Sequence, residues 1–138
     1  MRDLMAQEGL PYGQRTNTYN SRLAQELGKW ADTQPHGARL HDALFRAYFV
    51  DGKNIGNLDT LVEIAEGMGL SGSEARAVLT SRRLKSAVDA DWERSHAFGI
   101  TGVPTFVANG RGVVGAQPYE VLERLVVLAG GKPRPAHE

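Results

Sequence analysis

At 138 residues the chain has the length of one domain, enough to bury a real but modest core. Its 16 Lys and Arg balance 16 Asp and Glu, so no net field directs it to nucleic acid or to an anionic membrane surface. Cysteine is absent, which excludes disulfides, thiolate metal ligands and thiol–disulfide exchange by this polypeptide alone, because the attacking species must be a thiolate.

Met1 to Glu8 has room for one or two helical turns, with Leu4 and Met5 apolar and Gly9-Leu10-Pro11 as the stop. The opening MRDLMAQEGLPYG has no apolar signal core after its charges, so export on its own signal is not expected and a cytoplasmic location is. Tyr12 to Tyr19 is polar and reads as an extended connector. Asn20 or Ser21 is placed to cap a helix running to about Thr33, with Leu23, Leu27, Trp30 and Ala31 in one stripe. Pro35-His36-Gly37 breaks it. Ala38 to Val50 is apolar over a broad arc (Leu40, Ala43, Leu44, Phe45, Ala47, Tyr48, Phe49), which predicts a helix buried on more than one side.

Asn57 or Asn54 precedes a helix over Leu58 to Met68, with Leu58, Leu61, Val62, Ala65 and Met68 inward and Gly69 closing it. Ser71-x-x-Glu74 matches a capping box and opens a short helix to about Ser81, with Val78 and Leu79 inside. A longer helix follows from Ser81 or Arg82 to Phe98, its narrower stripe made of Leu84, Ala87, Val88, Trp92 and Ser95. No apolar run along the chain approaches the roughly 20 residues of a membrane-spanning helix.

The stretch Gly99 to Gln117, GITGVPTFVANGRGVVGAQ, organises what comes next. The apolar run Pro104 to Ala108 meets Asn109-Gly110, and Val113-Val114 follows before Gly115. Asn-Gly between extended apolar runs predicts a hairpin, because a type I′ turn needs positive φ at both central positions. Pro104 stands first in the leading strand, where its missing N–H breaks no interior ladder bond. Pro118 to Ala129 reads as a final helix with Leu122, Leu125, Val126 and Ala129 inward; Gly130-Gly131 ends it, and a loose Pro-rich tail is expected to Glu138.

Val103-Pro104-Thr105-Phe106, with its hairpin and terminal helix, resembles the second half of a thioredoxin fold. The GVVGAQP continuation and the block DALFRAYFVDGKNIGNLDTLVEIA are similar to the DsbA-like (FrnE-type) oxidoreductases, relatives of the 2-hydroxychromene-2-carboxylate isomerases. The resemblance runs from about Leu4 to Ala129 and covers that family's later two-thirds; its opening β-α-β unit, which carries the cysteine motif, has no counterpart in this sequence. It implies a mainly helical α/β fold within one domain, 1–138. A DsbA-type helical insertion over about 20–98 would be followed by the C-terminal half of a thioredoxin-like fold over 99–130.

The resemblance also implies a cis bond at Pro104 and a substrate-binding loop at Gly102, Val103, Pro104 and Thr105. There, backbone groups beside the proline pair with a bound peptide, as in strand addition. Isomerases and kappa-class glutathione transferases tend to carry an aromatic residue and then Gly-x-Asp or Gly-x-Glu where this chain has Val114, Gly115, Ala116 and Gln117. No cofactor is therefore expected, and glutathione is disfavoured by that departure. Two functions are open. The chain is part of a protein disulfide oxidoreductase whose cysteines come from elsewhere, with no catalytic residue of its own. Alternatively it is a catalytically inactive dimeric module binding peptide or ligand, or a relative of the glutathione-dependent isomerases. A lone two-stranded hairpin leaves both outer edges open, and a second copy of the chain is the expected cover, ahead of a separate segment or a rearranged helix.

The remaining chemistry-bearing residues read as structure. No pair among His36, His41, His96 and His137 has the i, i+4 spacing of a helical metal site, so no metal is expected and solvated surface histidines account for all four. Asp59, Glu63 and Glu66 share one helical face, as do Asp89 and Glu93, and both sets read as solvated surface. Arg82, Arg83 and Lys85 read as an exposed basic cluster, and Trp30, Phe45, Tyr48, Phe49 and Trp92 as core. The glycines around Asn109 to Gly112 are turn chemistry, not a phosphate cradle, because no helix follows directly.

Overall fold

A computed structural model describes residues 1–132; the Pro-rich tail and His137 lie outside the described residues. By its internal contacts the chain divides into two compact units, residues 1–91 and residue 92 onward. The first unit contains α1 (Arg2–Gln7), α2 (Arg22–Ala31), α3 (Arg39–Phe49), α4 (Leu58–Gly67) and α5 (Gly72–Ser81), and the boundary falls within α6 (Lys85–Ala97). The second contains the strands β1 (Thr105–Ala108) and β2 (Arg111–Val114) and the helix α7 (Tyr119–Leu128). Mainly helical with one small sheet, this is the expected fold class. No described helix is long and apolar enough to cross a membrane.

In the first unit α2 is the central element, packed against α3, α4 and α5. Of its predicted stripe Leu27, Trp30 and Ala31 are buried and Leu23 is half-buried; Ala24, which the stripe did not include, is buried as well. The start of the helix is held by Asn20, whose Oδ1 accepts the Arg22 N–H at 2.9 Å. The helix stops where the chain turns through His36 at φ +61. Gly37 then passes so close to the Ala31 carbonyl oxygen that a Cβ there would overlap it, so the turn itself demands glycine. Asn57 caps α4 by accepting the Thr60 N–H at 3.0 Å, and Ser71 caps α5 by accepting the Glu74 N–H at 3.3 Å. Leu61, Val62, Ile64 and Ala65 of α4 and Ala75, Val78 and Leu79 of α5 complete the core.

Expectations about burial are corrected in α3, α4 and α6. The α3 helix is not buried on more than one side: Leu40 and Ala47 are inside, Ala43, Leu44, Tyr48 and Phe49 are half-buried, and Phe45 is 63% exposed. One arc of α3 packs on α2 and α4, and its flank borders an open cleft. Met68 is exposed because α4 has already ended and Met68 is its C-cap. In the predicted stripe of α6 Val88 is buried and Leu84, Ala87 and Ser95 are half-buried, but Trp92 is exposed with its indole edge-on to the His96 ring at 6.2 Å.

In the second unit the hairpin forms about the predicted Asn109-Gly110 turn. Ala108 pairs with Arg111, Val107 with Gly112, Phe106 with Val113 and Thr105 with Val114. Asn109 and Gly110 both take positive φ, +46 and +73, as the I′ turn requires. The α7 helix packs on both strands through buried Leu125 and half-buried Leu122 and Ala129. Val126, expected inward, is exposed: a sheet two strands wide covers only a narrow arc of the helix, and one residue step from Leu125 leaves it.

Candidate functional site

Gly102, Val103, Pro104 and Thr105 form the loop entering β1, and local bonds hold it at both ends. The Thr105 hydroxyl donates to the Gly102 carbonyl at 2.6 Å, closing the loop on itself. The Pro104 carbonyl accepts the Gly115 N–H at 2.8 Å, extending the ladder one step past Thr105. The Val103–Pro104 peptide bond is cis. Between these anchors Val103 is 90% exposed, an apolar side chain held out into solvent.

The register decides which backbone groups face outward. In a two-residue hairpin Ala108 and Arg111 close the turn as a hydrogen-bonded pair, and pairs alternate from there. Phe106 and Pro104 therefore point their backbone groups at β2. Thr105 and Val107 sit in non-hydrogen-bonded pairs, so their N–H and C=O groups point to the outer edge of β1. On the other strand the Val114 carbonyl accepts from Gln117 Nε2 at 2.8 Å. The β1 edge is the face on which an extended chain could add a strand, and the segment Thr-Phe-Val-Ala along it carries no charge.

The first unit carries a separate feature, a cleft of about 630 Å³. Its walls include Tyr19, Leu44, Phe45, Tyr48, Ile55 and Val88. Phe45, Tyr48 and Phe49, expected in the core, line it instead, with Phe45 stacked on Phe49 at 6.2 Å between ring centroids. His41, expected to be a solvated surface residue, is in its wall with Nε2 donating to Asp32 Oδ1 at 2.8 Å. Lys29 pairs with Asp91 at 2.6 Å on the same lining.

Arg82, Arg83 and Lys85 are exposed as expected, but two of them are held in ion pairs. Arg82 is bound to Glu26, donating from Nη2 to Oε1 at 2.7 Å and from Nε to Oε2 at 2.9 Å, and those bonds raise the pKa of its guanidinium. Glu26 is completely buried, and nothing in the sequence marks it as such. Lys85 pairs with Asp89, which also pairs with Arg22, and Asp59 pairs with Arg76 at 2.6 Å. The carboxylates read as solvated surface are thus partly engaged in ion pairs. Among the described residues no group of three or more His, Cys, Asp or Glu is placed to hold a metal ion.

Comparison with known proteins gives the family. A solved structure of a probable DsbA oxidoreductase from Streptomyces coelicolor is similar, with TM-score 0.83 and 34% sequence identity, covering 99% of this chain and 60% of that one. An uncharacterized Bacillus subtilis protein, YwbO, is 31% identical over 110 residues, which are 75% of this chain and 52% of that protein. The chain therefore spans between about half and three-fifths of the length of these relatives. The family description that matches, the DSBA-like thioredoxin domain, extends over residues 1–127, and the chain belongs to that family.

Proposed function

We propose that this chain is the substrate-docking portion of a DsbA-family protein disulfide oxidoreductase, receiving an extended polypeptide on the β1 edge and the Gly102–Thr105 loop. The observation that carries this is the outward backbone of Thr105 and Val107 beside exposed Val103. Strand addition uses main-chain bonds for affinity and alternate side chains for selection, and the uncharged edge would select extended apolar segments. The redox step needs a thiolate, which a chain without cysteine does not hold, so the thiol comes from another polypeptide segment. Val114 to Gln117, with no carboxylate among them, support the FrnE-type branch over the isomerases.

The test is a titration of the isotope-labelled chain with an extended apolar peptide, read by amide chemical shifts. Saturable shifts centred on Val103, Thr105 and Val107 are expected, and shifts confined to other segments would refute the reading. A second reading is favoured by the same uncharged edge: two copies pair through β1 and form a two-fold dimer. Native mass across a dilution series distinguishes them, since a dimer that dissociates on peptide addition unites the readings and a concentration-independent monomer removes the second.

A further inference from the structure

We propose that the cleft of the first unit is a binding site for a small, uncharged, largely apolar molecule with at least one flat ring. Its volume of about 630 Å³ lies within the roughly 300–1,000 Å³ that small-molecule sites occupy. The walls supplied by Tyr19, Leu44, Phe45, Tyr48 and Ile55 are apolar, and two of the rings belong to one helix. Phe45 is the informative residue. A phenylalanine left 63% exposed at the mouth of an apolar cleft, while its helix buries Leu40 and Ala47 on the other side, keeps ring surface available for a ligand.

Charge selects the ligand class. Besides two tyrosines the lining carries four acidic or basic side chains, and they contact one another as Lys29 with Asp91 and His41 with Asp32. An ionic ligand would compete with these contacts for the same side chains, whereas a neutral one leaves both intact. The His41 pair is built into the wall by Gly28: a Cβ at that position would come within 2.9 Å of the imidazole Cε1, so glycine lets the ring lie against α2. The cleft thus has fixed polar corners that offer hydrogen bonds and apolar walls that supply the contact area. The Gly102–Thr105 loop belongs to the other unit.

The probe is N-phenylnaphthylamine, a neutral two-part aromatic dye, titrated into the full chain and read by fluorescence. Saturable binding at one site, insensitive to salt, is the expected result. Phe45→Glu, at an exposed position, is expected to weaken it about tenfold or more. Val127→Glu, on the exposed face of α7, is expected to leave it unchanged. Equal binding by Phe45→Glu, or loss with Val127→Glu alone, would overturn the proposal, as would affinity that falls steeply with salt. If Phe45→Glu does not fold, amide shifts in the unaltered chain decide: changes at Gly28, Leu44 and Tyr48 support the site, and changes confined to Phe106–Val114 or Tyr119–Leu128 refute it.

Discussion

The Glu26–Arg82 pair is unequal at its two ends, and that inequality makes a sharp prediction. The Glu26 side chain has no exposed surface, whereas the Arg82 side chain keeps 42% of its own. Replacing Glu26 by Met releases a guanidinium that can turn into water and leaves an apolar side chain of similar length inside. Replacing Arg82 by Met strands a carboxylate in the core. A buried charge deprived of its partner costs about 3–5 kcal/mol, and solvent access on the arginine side argues for the lower end for Glu26, near 3 kcal/mol. Arg82 has φ +54, but Met and Arg bear the same left-handed strain there, so the backbone does not confound the comparison. The expected order of stability in urea unfolding is therefore Arg82→Met least stable, Glu26→Met milder, and the double variant recovered close to Glu26→Met. A double variant as unstable as Arg82→Met alone would refute the reasoning, because no buried charge remains in it. The pH dependence follows with its sign. The Arg82 pKa is raised by its bonds to Glu26, so the stabilisation is complete below the ordinary arginine range and is lost only as pH rises through the folded value. The wild type should therefore lose none of this pair's stabilisation between about pH 7 and about pH 10.

Other outcomes follow from the first unit. Asn57→Ala removes the bond to the Thr60 N–H and should cost about 1 kcal/mol in urea unfolding, with Asn57→Asp restoring most of it. Leu27→Ala, at a position with no exposed surface, should cost about 2–5 kcal/mol, against less than about 0.5 kcal/mol for Phe45→Ala on the cleft rim. Gly37→Ala should destabilise more than its single methyl suggests, because that methyl overlaps the Ala31 carbonyl oxygen and either the turn or the end of α2 must move; thermal unfolding reads it.

Local chemistry explains what the sequence revealed. The hairpin was legible to the residue because Asn109-Gly110 meets a requirement satisfied by two adjacent positions alone, positive φ at both. The cap at Ser71 was legible for the same reason, being one side chain and one N–H three residues on, while for α4 the sequence offered Asn57 or Asn54 and the structure uses Asn57. Glu26 was not legible, since a carboxylate on an amphipathic helix reads as surface and its partner lies 56 residues away. The Asp32–His41 contact is of the same kind, set by a turn through His36 and Gly37 and not by any spacing along one helix. The apolar arc of α3 misled because periodicity counts apolar positions without saying how many neighbours exist to cover them. The same holds for Val126 on α7. At the candidate loop the residues were named from the resemblance, but which backbone groups face outward depends on the ladder alternation, fixed only once the turn closes at Ala108 and Arg111.

The uncharged β1 edge bears on how the polypeptide behaves before it is fully folded. Natural sheets commonly guard an outer strand with lysine, proline or a bulge, and Thr105 to Ala108 has only the proline that precedes it. Any hairpin that forms early offers its Thr105 and Val107 backbone groups to whichever extended segment arrives first, including the same segment of a neighbouring chain. Folding yield then becomes a race between intramolecular closure, which is independent of concentration, and bimolecular strand capture, which is not. Dilution, or an early-bound apolar peptide occupying the edge, shifts that race toward the folded form.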